Sequence, residues 1–417
     1  MVKRCLIVTY YFPPTGGGGV QRMTKLIKYL SRQGWQFSVI TSGNSEANLP
    51  RDENLLSEIP DKVKIHQIRS ENKSLSQSFL HLKSSFAVRW VSSLMFIPDR
   101  YKGWAQKAKQ EVFNLIKNEN FDIILISSPP YSLATLAADL TKSISLPVVL
   151  DMRDPWTTNP YKIYPSNWHL RKDRQIERDA LKNIKFGVSA YASLIEYFDK
   201  CIPDFNKKNW RCISNGFDEE DLAALKPEKV DSSKLNIAFS GTFYSHLNNP
   251  EPLFKAIADL NEDQKEKICF HHIGSSNISL SDLAGRFNLS AHLVEWGYHS
   301  HDKCLNILSA MDAFVFLLES SNPNAVNTIG GKVYEYIGLG KPILALVPEK
   351  GEAAMLINKS KSGIIIDPGN TNLLKNTLSD WIKNKPKLQG KTDLKSYSRS
   401  SLAKKYSEFL EEINNNQ

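Results

Sequence analysis

The segment Asn327-Thr328-Ile329-Gly330-Gly331-Lys332-Val333-Tyr334-Glu335-Tyr336-Ile337-Gly338-Leu339-Gly340-Lys341-Pro342-Ile343-Leu344 carries the densest set of residues able to do chemistry. It reads as a glycine loop, a helix of about two turns, a glycine stop and a strand. A diphosphate can bind at the helix N-terminus behind Gly330 and Gly331, with Lys332 adding a full positive charge. Glu335 lies one turn in, on a polar spot between apolar neighbours, where a carboxylate can take both hydroxyls of a ribose. The plainer alternative for Glu335 is a solvated helix residue. Asp151 and Asp154 flank Arg153 just after the buried strand Val148–Leu150. Such a trio can orient a sugar hydroxyl or serve in acid–base work; the alternative is an Asp–Arg pair that pins the loop. Gly241, Thr242 and Tyr244 follow another strand, and the free N–H groups of that loop can face a phosphate, if it is not an ordinary turn. Gly16, Gly17, Gly18 and Gly19 precede a helix, allowing close backbone approach and a ring of N–H donors, or else a tight strand–helix turn. Asp99 and Trp104 are weaker candidates and read as structural.

Several other chemistries are excluded. A dinucleotide fingerprint starting at Gly16 needs glycine at position 21, which is Gln, and an acid after the second strand, where Thr41-Ser42-Gly43 stands. Of Gly331-Lys332, Gly340-Lys341 and Gly390-Lys391-Thr392, only the last has the hydroxyl of a P-loop, and its required glycine at 385 is Lys. His271 and His272 point to opposite faces of a strand; His299 and His301 share a face but lack a third ligand, so no metal site is expected and the histidines read as structural. The five cysteines form no C-x-x-C pair, which fits a reducing compartment.

The elements that must position these residues alternate. Strands are expected at Arg4–Thr9, Gln36–Thr41, Asp122–Ser127 and Pro147–Leu150, with helices at Val20–Arg32 and Leu133–Ser143. A second set begins near Leu235: Asn236–Ser240, Ile268–Ile273, Leu293–Glu295, Ala313–Leu318, Pro342–Val347 and Gly363–Ile366. This rhythm implies parallel sheets covered by helices, an α/β fold, with ligands at the carboxyl ends of the strands. Residues 42–75 read as loops. Ser78–Ile97 carries one apolar stripe, and a final amphipathic helix spans about Ser400 to Ile413. The domains expected are 1–218, a linker at 219–234, 235–390, and a helix-bearing segment at 391–417. With 417 residues, 53 Lys+Arg and 44 Asp+Glu, the chain has a net charge of +9, a mild excess that favours anionic partners. No basic stripe with interleaved aromatics marks a nucleic-acid binder. No run of about 18 apolar residues marks a membrane span, and the apolar run Cys5–Val8 is too short for a signal peptide.

Taken in order, these pieces resemble bacterial retaining glycosyltransferases of the GT-B fold, of the family-4 kind that build surface polysaccharides. The resemblance rests on Tyr11-Phe12-Pro13-Pro14 with the glycine loop and Gln21-Arg22; on Ile97-Pro98-Asp99 with Gly103-Trp104; and on Ser128-Pro129-Pro130-Tyr131-Ser132 and Asp151 to Trp156. It continues through Ser214-Asn215-Gly216-Phe217-Asp218, Gly241-Thr242-Phe243-Tyr244 and Lys332 to Pro342. It implies two Rossmann-like domains facing a cleft, the first holding the acceptor and the second a nucleotide-sugar, with the last helix crossing back onto the first. Arg22 falls with the glycine loop as an acceptor or diphosphate contact. Of the family's two glutamates eight apart, Glu335 matches the second, the ribose ligand, and Asn327 stands at the first. Thr242 and Leu247 stand about where an Arg and a Lys grip the diphosphate, leaving Lys332 as the main candidate. The resemblance also implies metal-free catalysis, same-face attack with retention, a lipid-linked saccharide acceptor, and a cytoplasmic enzyme at the inner face of the membrane. There the 78–97 stripe, with Lys83 and Arg89 on or beside it, packs on the first domain or touches an anionic lipid surface. A nucleotide-sugar epimerase of the same fold is the alternative enzyme.

Overall fold

The computed structural model describes residues 3–43, 51–69, 86–244, 247–320, 324–388 and 394–415. Residues 78–85 of the apolar stripe, Lys83 among them, and Gly390-Lys391-Thr392 lie outside the described residues. The chain forms two compact units, Met1–Asn215 with Arg399–Gln417, and Gly216–Ser398.

The first unit is built on strands β1 (Lys3–Thr9), β2 (Trp35–Thr41), β3 (Lys64–Gln67), β4 (Ile123–Ser128), β5 (Val148–Met152), β6 (Phe186–Ser189) and β7 (Trp210–Cys212). They form one parallel sheet in the order β3-β2-β1-β4-β5-β6-β7. The second unit holds β8 (Leu235–Ser240), β9 (Ile268–Ile273), β10 (Leu293–Gly297), β11 (Ala313–Leu317), β12 (Ile343–Leu346) and β13 (Gly363–Ile366), also parallel, in the order β10-β9-β8-β11-β12-β13. Continuous apolar runs such as Ile123-Ile124-Leu125-Ile126 suit strands buried on both faces, and β4 and β5 are buried at every position. Numbering only helices of eight or more residues, α1 is Gly18–Arg32, α2 Phe86–Met95, α3 Lys102–Asn118, α4 Ser132–Ser143, α5 Asn167–Lys182 and α6 Ala192–Cys201. In the second unit α7 is Glu251–Ala258, α8 His301–Ser309, α9 Gly331–Gly338, α10 Glu352–Ser360 and α11 Thr371–Lys383. The final helix, α12 (Arg399–Asn415), belongs to the first unit.

Each unit has its own core. In the first, Ile7, Val39 and Leu125 from the sheet pack with Ile27 and Leu30 of α1 and with Leu402, Tyr406 and Leu410 of α12. Trp35 Nε1 donates to Ser407 Oγ at 2.9 Å, so α12 is held by a buried hydrogen bond as well. In the second, Ile237, Phe270, Val315 and Leu344 pack with Phe254, Leu374 and Leu378. Full burial of each such side chain contributes roughly 1.5–3 kcal/mol.

In both sheets the strand order turns at the first strand of the unit: β1 lies between β2 and β4, and β8 between β9 and β11. The crevice at such a reversal, outside the carboxyl ends of the strands, is where ligands bind in open parallel sheets. The loops that open there are the glycine run after β1, Pro129-Pro130-Tyr131 after β4, Gly241–Tyr244 after β8, and the segment leading to α9 after β11.

Three expectations change. The stretch expected as loops at 42–75 contains β3 and a one-turn helix, Asn54–Ser57; β3 is a short, largely exposed edge strand with no apolar alternation to reveal it. The segment expected as a linker at 219–234 opens with a short helix, Glu219–Ala223, capped by Asp218, and lies inside the second unit. Finally, β5 runs on to Met152, so Asp151 is a strand residue rather than a loop residue.

Candidate functional site

In the second unit, α9 starts without a side-chain cap or an acid in its first turn, so the positive end of its dipole is uncompensated. Gly330 at its N-cap packs closely on Phe316, and a Cβ there would stand 3.0 Å from the ring. The helix is fixed at its middle: Tyr336 stacks on Phe314 at 4.3 Å, and its hydroxyl accepts the Ser240 N–H at 2.7 Å, tying α9 to the end of β8. It stops where Gly340 takes φ 68°, a left-handed value that ends a helix.

On this helix Lys332 and Glu335 meet one turn apart, Nζ to Oε2 at 2.9 Å. The second carboxylate oxygen accepts from His301 Nε2 at 3.1 Å, at the start of α8. His301 Nδ1 in turn lies 3.7 Å from Asp221 Oδ2. Burial alone pushes the Glu335 pKa up, but the Lys332 and His301 contacts outweigh it and bring the pKa down to about 2. For Lys332, burial opposes the charge and Glu335 favours it; the net effect holds the ammonium above its usual value. The Lys332 side chain is 33% exposed, so its charge can still reach an incoming anion. Asn327 lies half-buried in a 3-10 turn, Ala325–Asn327, ahead of α9.

His301 is the member that sequence reasoning missed. Its pairing with a residue 34 positions away depends on the order of β10, β11 and the helices between, which spacing alone does not reveal. The neighbouring His271 and His272 do have structural roles. Trp296 Nε1 donates to His271 Nδ1 at 3.2 Å and His271 Nε2 donates to Asn236 Oδ1 at 2.9 Å, while burial lowers its pKa to about 4. His272 Nε2 donates to Gly241 O at 3.0 Å.

The Gly241–Tyr244 loop differs from expectation. Its N–H groups are largely used within the protein: Gly241 donates to Ile273 O at 2.9 Å, Phe243 to Ser275 O at 3.3 Å, and Tyr244 to Asn248 Oδ1 at 2.6 Å. Thr242 Oγ1 lies 3.1 Å from Ser275 Oγ on the exposed side. The loop is thus a rigid lip knitted to the segment after β9, not a ring of open donors. Its closeness to that segment requires Gly274, since a Cβ there would stand 2.2 Å from Gly241 O.

In the first unit, Gly16 and Gly17 precede α1, while Gly18 and Gly19 form its first turn. Gly17 has φ 113°, a conformation suited to glycine. Arg22 and Asp151, placed in the sequence among loop and catalytic candidates, face each other inside the unit, 3% and 0% exposed. Arg22 Nη2 and Nε reach Asp151 at 2.7 and 3.0 Å, and its remaining donors go to Ser214 O and Ile213 O, both at 2.9 Å. Asp151 also accepts from Tyr406 OH at 2.6 Å. Both groups are saturated and shielded, so the pair pins α1, β5, the 213–215 segment and α12 together. An Asp–Arg pin was one of the two sequence readings, but the partner is Arg22 rather than Arg153.

Arg153 lies against the first turn of α1, its Nη1 standing 1.7 Å from where a Gly19 Cβ would be. Asp154 is half-buried, and burial raises its pKa. Beyond it, Trp156 Nε1 donates to Asp173 at 3.0 Å, and Thr157 Oγ1 donates to Glu177 at 2.5 Å. Burial drives the Glu177 pKa up to about 7. Asp99 has the structural role expected of it: its carboxylate accepts from Ser132 N at 3.0 Å and Ser132 Oγ at 2.8 Å, capping α4.

Residues 223–400 match the sequence model of the family described as glycosyl transferases group 1. No curated protein matches the chain by sequence. Among solved structures, the chain is similar to sucrose-phosphate synthase from Thermosynechococcus elongatus, with 13% identity, a TM-score of 0.70 and 100% of both chains covered. It is similar to a glycosyltransferase from Rickettsia africae, with 16% identity, a TM-score of 0.65, and 100% of this chain and 99% of that one covered. It is also similar to Anabaena Alr3699/HepE, solved in complex with UDP, with 14% identity, a TM-score of 0.58, and 99% and 98% covered. The chain has the two parallel-sheet, Rossmann-like domains of GT-B glycosyltransferases, with the group 1 family match running over nearly all of the second unit.

Proposed function

We propose that this protein is a glycosyltransferase that moves a sugar from a nucleotide-sugar to a lipid-linked glycan acceptor, with retention, in surface polysaccharide synthesis. One observation carries the reading: Lys332, Glu335 and His301 meet at the uncapped start of α9, at the strand-order reversal of the unit that matches the group 1 model. The UDP complex of the similar Anabaena protein supports a nucleotide-sugar as donor.

In this reading the diphosphate docks on the α9 N-terminus and draws Lys332 away from Glu335. The freed oxygen of Glu335 then takes the ribose hydroxyls, while His301 keeps the other oxygen in place. Asn327 hydrogen-bonds the donor sugar, and Gly241, Thr242 and Tyr244 border the pocket. Lys332 and the helix dipole offset the charge that develops on the departing diphosphate, so the step needs no metal. That diphosphate accepts the acceptor's proton. Asp154, whose carboxyl is pushed toward its protonated form, hydrogen-bonds the acceptor hydroxyl and orients it.

The enzyme works in the cytoplasm at the inner membrane face. Support comes from α2, where Trp90, Val91, Leu94 and Met95 are all exposed, an apolar surface suited to a lipid boundary. No helix among the described residues is long and apolar enough to cross a membrane.

The test is turnover across a panel of nucleotide-sugars, with and without a polyprenyl-diphosphate-linked saccharide. Release of nucleoside diphosphate that depends on the acceptor supports transfer. A nucleotide-sugar epimerised without acceptor sinks the transferase reading. Flotation with anionic vesicles tests the membrane contact, which Val91→Glu with Met95→Glu should weaken.

A further inference from the structure

We infer that Asp173 and Glu177 of α5 are positioning residues: they hold one proton between them, and through it they set the loop that carries Arg153 and Asp154. The two acids lie one turn apart on α5 and are 0% and 2% exposed. Both engage the chain that follows β5. Asp173 accepts from Trp156 Nε1 at 3.0 Å and from Tyr164 OH at 2.6 Å, and it pairs with Lys162. Glu177 accepts from Thr157 N at 3.3 Å and shares a hydrogen bond with Thr157 Oγ1 at 2.5 Å. Tyr131 fixes the residue before these, donating to Pro155 O at 2.5 Å and stacking on Trp156 at 5.3 Å. Asp154 thus sits between the end of β5 and a segment clamped at Pro155, Trp156 and Thr157 in succession.

The charges inside this group do not balance. The titratable and charged groups facing Glu177 are Asp173 and Arg174 on its own helix, Lys162 and Tyr164 in the loop, Tyr131 at the start of α4 and Tyr197 on α6. Arg174 is exposed, and burial keeps the three tyrosines neutral. The two carboxyls therefore share one enclosed cation among the described residues, Lys162. Its ammonium lies 4.7 Å from the centre of the Tyr131 ring, 5.5 Å from Tyr164 and 5.9 Å from Trp156. Two like charges a turn apart, away from water and with one partner, favour the retention of a proton. The hydrogen bonds say where it resides. Asp173 has three donors, one of them an ammonium, whereas Glu177 has only the N–H and hydroxyl of Thr157, so the proton falls to Glu177. Its carboxyl can then donate to Thr157 Oγ1, whose own hydrogen turns to Tyr197 OH at 3.5 Å. The clamp is complete in that state. When the proton leaves, a negative charge beside Thr157 is uncompensated, and the loop relieves it by admitting water, which displaces Asp154.

The inference rests on the transferase reading only for the use to which Asp154 is put, and two measurements on the full chain separate the two. The first is hydrogen–deuterium exchange of a peptide covering residues 154–164 across a pH series, corrected for the intrinsic rate. Wild-type protection should fall several-fold as pH rises through 7, the value to which burial lifts Glu177. Glu177→Gln keeps an acceptor for the Thr157 N–H and a donor for its hydroxyl, so its protection should stay flat. Lys162→Met removes the compensating cation and should move the step to higher pH, a shift that a purely structural contact would not produce. It also keeps the test decisive if Glu177→Gln fails to fold. No step in the wild type, an unshifted step in Lys162→Met, or the wild-type step in Glu177→Gln overturns the inference. The second measurement is acceptor-dependent turnover over the same series. In the wild type kcat should fall through the same pH while KM for the nucleotide-sugar holds, and Glu177→Gln should keep its kcat. A wild-type fall of kcat in Glu177→Gln overturns the positioning role. Failure of the transferase reading has a separate signature: no turnover at any pH, while the exchange step persists and upholds the proton-held loop.

Discussion

Glu335 sits between Lys332 and His301 at 2.9 and 3.1 Å, and its two oxygens have different neighbours. Removing either end of the Lys332–Glu335 pair should weaken donor binding. Lys332→Ala and Glu335→Ala should each lose on the order of 1–3 kcal/mol of affinity for the nucleotide-sugar, measured by calorimetry, and wild-type affinity in both would contradict the site. The pKa of Glu335 also makes a stability prediction. Its folded value of about 2 lies below the ordinary 4.5, so it stabilises the fold above pH 4.5, and that contribution is lost as pH falls through 2. Glu335→Gln should flatten this acid limb in a melting-temperature series. Glu177 has the opposite sign: its pKa is raised from 4.5 to about 7, so its contribution is full below pH 4.5 and is lost as pH rises through 7. Glu177→Gln should remove that slope. At this scale the sequence was legible where partners are close in the chain. Lys332 and Glu335 are three apart on one helix, and their types and spacing already suggested a site. His301, and the Arg22–Asp151 pin that joins residues 129 apart, depend on which strands become neighbours, and no local pattern carries that information.

The elements that hold the site were legible where apolar residues run together in the chain. Ile268–Ile273, buried at every position, has the bounds expected from the residues, and so does Gly363–Ile366, a partly buried strand marked by three consecutive isoleucines. By contrast β7 is three residues long and β3 is mostly exposed, so neither leaves a hydrophobic period to read. The lip after β8 depends on one backbone contact that no motif announced, Gly274 against Gly241. Gly274 has φ 139° and no room for a side chain. Gly274→Ala should therefore destabilise the second unit by about 1–3 kcal/mol, seen as a lower urea midpoint with an unchanged slope. An unchanged midpoint would mean that the two loops separate freely. Asp151→Asn tests the other junction. It leaves Arg22 buried beside a neutral amide, and should cost about 3–5 kcal/mol in the first unit. Melting at the wild-type temperature would show the pin to be dispensable.

On the scale of the whole molecule, the first unit is discontinuous: Met1–Asn215 is completed by Arg399–Gln417. Residues Leu402, Tyr406, Phe409, Leu410 and Ile413 of α12 are part of its core. A fragment ending at Asn215 should expose that apolar surface, bind a hydrophobic dye and aggregate, and a peptide of residues 399–417 added in trans should reverse this. The amphipathic pattern of α12 was plain in the residues, but amphipathicity gives a face and not a partner; it was the family resemblance that assigned the last helix to the first domain, the core it enters. The insertion of one unit within the other also sets an order of maturation. As the chain emerges from the ribosome, the second unit is complete while the first still lacks a helix, although most of the first was made earlier. The usual N-to-C sequence of domain folding is therefore inverted, and the nascent first unit holds an open hydrophobic seam until α12 is translated.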